Sequence, residues 1–165
     1  MEKSDGTFLP LVKLYTLPDK RFDYRKNTIA ASIRPEQAAV VAALARTYLR
    51  EQAQILDPFC GVGTMLLERN RVCPARVMYG IDIFGKAING ARENTKLAGQ
   101  NAYYINRDFF AFTHEYLFDE IITNMPDRGK KSREEQDIFY KRFFEKTAEV
   151  LRENGRIITV SYTHL

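Results

Sequence analysis

The chain has 165 residues, 45% of them hydrophobic, which is enough apolar content for one packed core and too little length for several domains. No apolar run approaches the ~20 residues of a membrane span, and the opening Met1-Glu2-Lys3-Ser4-Asp5-Gly6 lacks the hydrophobic stretch of a secretory signal, so a cytoplasmic location is expected. Cys60 and Cys73 are too few for a disulfide scaffold and have no metal-ligand spacing with His114 or His164, so no metal is expected; a net charge of +4 permits an acidic partner such as RNA without requiring one.

Residues 1–30 hold Pro10, Pro18 and mixed charge with no sustained period, and are expected to be a lead-in segment to a domain spanning 31–165. From Pro35, which suits the first turn of a helix, Val40, Val41, Leu44, Tyr48 and Leu49 recur at three- and four-residue steps and predict one apolar stripe. Ile55 and Leu56 then read as a buried strand running into Asp57-Pro58-Phe59-Cys60-Gly61-Val62-Gly63-Thr64. In that turn Gly61 and Gly63 permit positive φ and close backbone approach, and Thr64 opens a helix with the apolar start Met65-Leu66-Leu67.

A second strand, Arg76–Ile83, carries Asp82 near its end, about 19 residues beyond Gly63, where a carboxylate can accept ribose hydroxyls. A helix from about Gly85 to Ala98 places Phe84, Ile88, Ala91, Thr95 and Ala98 on one face, and Gly99 ends it. The third strand, Tyr103–Asp108, also ends in an acid, and the fourth, Phe118–Thr123, runs into Asn124-Met125-Pro126-Asp127. The capping-box pattern Ser132-Arg133-Glu134-Glu135 starts the longest helix, which is expected to bury Phe139, Phe143, Thr147 and Val150 and to stop at Asn154-Gly155. Arg156–Val160 is the fifth strand. This alternation predicts right-handed crossovers and an α/β, Rossmann-like, mostly parallel sheet with helices on both faces.

The turn after the first strand says what kind of ligand such a sheet would take. Leu66 stands where the third glycine of a dinucleotide-binding pattern belongs, and Asp57 puts a carboxylate where a pyrophosphate would need donors. A nicotinamide cofactor therefore fits poorly. An adenosyl ligand bearing cationic groups fits better, and S-adenosylmethionine has that description. Polar residues at the carboxyl ends of successive strands lie where open α/β sheets bind ligands.

Three segments carry a resemblance: Ala31-Ser32-Ile33-Arg34-Pro35, Asp57 to Thr64 with Glu68 following, and Asn124-Met125-Pro126-Asp127. From about Asn27 onward the chain resembles the class I S-adenosylmethionine-dependent methyltransferases, and within them the THUMP-associated RNA guanine-N2 methyltransferases. The resemblance implies that Ser32, Asp57, Phe59, Gly61, Gly63 and Thr64 surround the cofactor, with Asp57, Gly61 and Gly63 at its methionine part. It further implies that Asp82 holds the ribose, Ile83 lies against the adenine, Asp108 meets the adenine amine and Phe109 flanks the ring. Asn124, Met125, Pro126 and Asp127 correspond to an Asn-Pro-Pro-Tyr motif that methylates planar exocyclic nitrogens, with Asn124 also touching the cofactor. Met125 and Asp127 depart from that motif, and Asp127 cannot stack on a base. Arg128, Lys130 and Lys131, which follow directly, are candidate RNA phosphate contacts.

The expected function is methyl transfer to the exocyclic N2 of guanine in ribosomal or transfer RNA. A protein glutamine amide is a second possible acceptor, and a non-catalytic cofactor- or RNA-binding module a third reading. The family completes its sheet with a C-terminal antiparallel hairpin that is lacking here, so Ile157-Ile158-Thr159-Val160 would form an open edge. A missing C-terminal segment, or pairing with another chain, is expected to cover it.

Overall fold

The structure is a computed structural model and describes residues 20–30, 32–126 and 132–161. Five strands, β1 Gln54–Asp57, β2 Val77–Asp82, β3 Tyr103–Asn106, β4 Phe118–Asn124 and β5 Leu151–Val160, form one all-parallel sheet in the order β3-β2-β1-β4-β5. The chain steps outward from β1 to β3 and then returns to the far side of β1 with β4. Such a reversal opens a crevice beyond the carboxyl ends of β1 and β4. The expected Rossmann-like sheet is formed, and among the described residues β5 pairs only with β4.

The period of two along β1 sorts its side chains into two cores. Ile55 joins Met65, Leu66, Ile88 and Ala91 under α2 (Thr64–Val72) and α3 (Gly85–Leu97). Leu56 joins Phe109, Phe118, Phe143 and Val150 under α4 (Arg133–Val150) and the 3₁₀ turn Phe109–Ala111. The capping box forms as expected: Glu135 N–H donates to Ser132 Oγ at 3.2 Å and Ser132 N–H to Glu135 Oε2 at 2.9 Å. No described helix is long and apolar enough to cross a membrane.

Four local expectations are corrected. Helix α1, Pro35–Ala45, does not bury the Val40, Leu44 and Tyr48 stripe, which is exposed; it packs on α2 through Ala38, Ala42 and Ala45. Alanines let two helix axes approach closely, whereas the larger stripe would hold them apart. Helix α4 ends at Val150, because Leu151 is already extended at φ −100°, ψ 143°. Asn154-Gly155 instead lies within β5 where its register against β4 shifts: Phe118 faces Leu151 but Glu120 faces Arg156. A Cβ on Gly155 would meet Leu151 Cγ at 2.4 Å. Asp108 does not end β3 but caps the 3₁₀ turn, accepting the Phe110 N–H at 3.0 Å. Phe84 lies at the N-terminal cap of α3, exposed, while Ile88, Ala91 and Thr95 are buried as expected.

Residues 20–34 are held to the sheet domain by polar contacts. Tyr24 is buried, and its hydroxyl donates to Glu68 Oε1 at 2.9 Å while Arg21 Nη2 donates to Glu68 Oε2 at 2.8 Å. Arg25 Nη2 reaches the carbonyl of Ile33 at 2.9 Å and its Nε the hydroxyl of Thr64 at 3.3 Å. Asn94 of α3 receives the Asn27 N–H at 3.0 Å and donates to the Asn27 carbonyl at 3.1 Å. This segment therefore ends beside the start of α2, at the carboxyl edge of the sheet.

Candidate active site

The turn between β1 and α2 takes its shape from two left-handed glycines, Gly61 at φ 51° and Gly63 at φ 83°. A Cβ on Gly63 would stand 2.4 Å from the Tyr104 hydroxyl, so this position excludes side chains by space as well as by conformation. Asp82, at the end of β2, accepts the Gly61 N–H on Oδ2 at 2.9 Å and the Phe84 N–H on Oδ1 at 2.9 Å. Each carboxylate oxygen has two lone pairs, so both retain capacity for a ligand hydroxyl.

Asp57 at the tip of β1 is almost fully buried, with Oδ1 accepting the Thr123 hydroxyl at 2.7 Å and the Phe59 N–H at 3.1 Å. Burial pushes its carboxyl up to about 7; those two hydrogen bonds pull it down, and the neighbouring Asp82 charge adds to the rise. Burial and the same two carboxylates also hold the Cys60 thiol well above its ordinary range, which makes it a poor nucleophile.

Asn124 closes β4. It pairs with Val160, and the next amide, Met125 N–H, donates to the Val160 carbonyl at 2.9 Å, so β5 fixes its position. Its side-chain Oδ1 is buried and, among the described residues, has no hydrogen-bond partner. Leaving such an acceptor unsatisfied costs roughly 1–3 kcal/mol, a cost a ligand N–H would remove.

A cleft of about 470 Å³ lies at the carboxyl ends of β1, β2 and β4. Of the residues expected from sequence, Ser32, Asp57, Phe59, Gly61, Thr64, Asp82, Ile83, Asp108, Phe109, Asn124 and Pro126 all line it. The three carboxylates thus converge on one space. Gly63 and Met125 do not line it: Gly63 is turned into the α2 cap against Tyr104, and Met125 is buried in the α4-side core. Asp127, Arg128, Lys130 and Lys131 lie outside the described residues.

Two walls of the cleft are built from residues not expected there from sequence. One is Ile29 and Ile33, carried by the polar-anchored segment 20–34; the other is Phe110 with Glu135, Ile138, Phe139 and Arg142 of α4. The spacing 135, 138, 139, 142 is one helical stripe, a signal present in the sequence but masked by the stronger Phe139, Phe143 and Val150 core pattern. Among the described residues no group of three or more His, Cys, Asp or Glu could hold a metal ion.

The model of a family described as UPF0020, RMKL-like methyltransferase domain, matches residues 23–165. The U6 snRNA (guanine-N(2))-methyltransferase THUMPD2 of Bos taurus is 32% identical over 132 residues, covering 78% of this chain and 25% of its own. The 23S rRNA (uracil(1939)-C(5))-methyltransferase RlmD of a Marinomonas strain is 29% identical over 119 residues, covering 71% of this chain and 27% of its own. The chain thus spans about a quarter of the length of these curated relatives. The crystal structure of TrmN from Thermus thermophilus superposes with a TM-score of 0.64 at 25% identity, covering 84% of this chain and 40% of that one.

Proposed function

This chain belongs to the UPF0020 family of RMKL-like methyltransferase domains, and from that premise we propose that it methylates the exocyclic N2 of a guanine in ribosomal or transfer RNA. The cofactor implied by family and fold is S-adenosylmethionine, which supplies an electrophilic methyl group on a sulfonium. The residues present suit it: acidic groups at Asp57, Asp82 and Asp108 face one cleft, and Leu66 stands where a dinucleotide-binding turn would carry its third glycine. Asp57 is placed to complement positive charge, Asp82 to accept ribose hydroxyls, and Ile83, half of whose surface is open, to lie against an adenine ring.

The observation that carries the acceptor assignment is the orphaned Asn124 Oδ1 in that cleft. A ring amine is a weak nucleophile because its lone pair is delocalised. Asn124 Oδ1 accepts one amino hydrogen and the backbone carbonyl that follows accepts the other, which localises the lone pair. No strong base is then required; alignment and fixed dipoles lower the barrier, and proximity effects are worth up to ~7–11 kcal/mol. A carbon acceptor such as uracil C5 has no N–H to offer this oxygen, so the geometry favours the amine chemistry named for the first relative over that named for the second. Arg128, Lys130 and Lys131 then supply phosphate contacts, giving the affinity for RNA a salt dependence.

The test is methyl transfer from labelled cofactor to unmodified transfer and ribosomal RNA transcripts, followed by nucleoside analysis. N2-methylguanosine is expected; a methylated uracil, or methyl transfer to glutamine peptides alone, refutes the assignment.

A further inference from the structure

The α4 wall of the cleft carries a surface formed by none of the residues assigned above to the cofactor. Glu135, Ile138, Phe139 and Arg142 share one face of α4 and all line the cleft. Phe110 of the 3₁₀ turn meets this face: its ring centroid lies 5.7 Å from that of Phe139, and the Arg142 guanidinium carbon stands 4.4 Å from its own centroid. Arg142 is exposed, Ile138 is exposed and Phe110 is half-buried, so this cation–π pair borders solvent at the mouth of the cleft. Among the described residues Arg142 makes no ion pair. Its guanidinium is held by the ring rather than by a carboxylate.

Met125, Pro126 and Asp127, the residues at the motif's remaining positions, offer no stacking plane. Met125 is buried, Pro126 has no π system, and Asp127 is a carboxylate. Unpaired bases are held by stacking on aromatic rings and guanidinium planes. We propose that the Phe110–Arg142 pair, bordered by Ile138, is the ledge on which the acceptor base lies, a task for which Met125, Pro126 and Asp127 have no stacking plane. This rests on the reading that the acceptor is a nucleobase. Arg142 is then a positioning residue for that base. A lysine cannot replace it, because an ammonium has no plane to stack.

The experiment compares Arg142→Ala, Arg142→Lys and Phe110→Leu with the native chain by three measurements. These are calorimetry with S-adenosylmethionine, steady-state transfer to unmodified RNA transcripts, and binding of a fluorescein-labelled single-stranded RNA with S-adenosylhomocysteine present. Arg142→Ala and Phe110→Leu are expected to raise KM for RNA about tenfold or more while kcat and cofactor affinity stay within about twofold, and Arg142→Lys to recover little of the loss. Parallel losses of cofactor and RNA affinity would overturn the proposal by assigning the pair to the adenine. Full recovery in Arg142→Lys would overturn it in favour of simple charge attraction. If the native chain transfers no methyl group to guanine yet loses labelled-RNA affinity in Arg142→Ala and not in Arg142→Lys, the guanine-N2 reading falls and the ledge stands. If neither transfer nor RNA binding responds, the ledge falls.

Discussion

The Asp82 carboxylate accepts the Gly61 N–H at 2.9 Å across 21 positions of sequence, and so fastens the turn after β1 to the turn after β2. Its second oxygen fixes the first residue before α3 through Phe84 N–H. The side chain that would bind a ribose is thus also the clasp that shapes the glycine turn. Asp82→Ala is expected to weaken S-adenosylmethionine binding by about 1.5–3 kcal/mol, tenfold or more, as hydrogen bonds to a charged group are lost. Asp82→Asn, which keeps one accepting oxygen, should lose less. Calorimetry decides, and an unchanged Kd in Asp82→Ala contradicts the assignment.

Asp57 gives a pH signature whose sign follows from burial. Its carboxyl titrates near 7 in the folded chain against 3.8 for the ordinary group, so between those values the native state binds more protons than the unfolded one. Its contribution to stability is full below about pH 4 and is lost as pH rises through about 7. Denaturation of the ligand-free chain at several pH values should show stability falling across this window, with a shallower fall in Asp57→Asn. A cationic cofactor favours the ionised carboxylate. Its binding near pH 7 is therefore expected to release a proton, visible as a calorimetric heat that varies with the ionisation enthalpy of the buffer.

Asn124→Ala removes a buried acceptor that no described residue uses. The variant should be as stable as the native chain or more stable by about 1 kcal/mol, since an unsatisfied buried oxygen disappears. Cofactor affinity should change little, while methyl transfer should fall by about a hundredfold or more. Equal losses in binding and transfer would show that Asn124 serves the cofactor rather than the acceptor.

Gly63→Ala meets two obstacles, a φ of 83° and a Tyr104 hydroxyl 2.4 Å from the new Cβ. A loss on the order of 1–3 kcal/mol is expected from denaturant unfolding. Tyr104→Phe removes the hydroxyl, together with its 2.8 Å contact to Thr95, and should recover part of the Gly63→Ala loss in a double-mutant cycle. Strict additivity of the two losses would locate the cost in the backbone alone.

Much of this protein is legible along the chain because the features involved are local. Ile55-Leu56 followed by Asp57 and two glycines specifies a strand, a left-handed turn and a helix start within ten consecutive residues, and Ser132 with Glu135 closes its own capping box. Acids at or just past strand ends are likewise readable, since α/β connections place strand tips at one edge of the sheet, and Asp57, Asp82 and Asp108 line one cleft there. Tertiary packing alone decided the rest. Two apolar stripes competed for the inner face of α1, and the alanine stripe won because α2 needed close approach; spacing carries no information about the partner's shape. Segment 20–34 became a wall of the cleft through charged and polar bonds to Glu68, Thr64 and Asn94, which have no period to detect. The meeting of Phe110 with Arg142 depends on how α4 lies across the sheet, a relation between residues distant in sequence that no local propensity encodes.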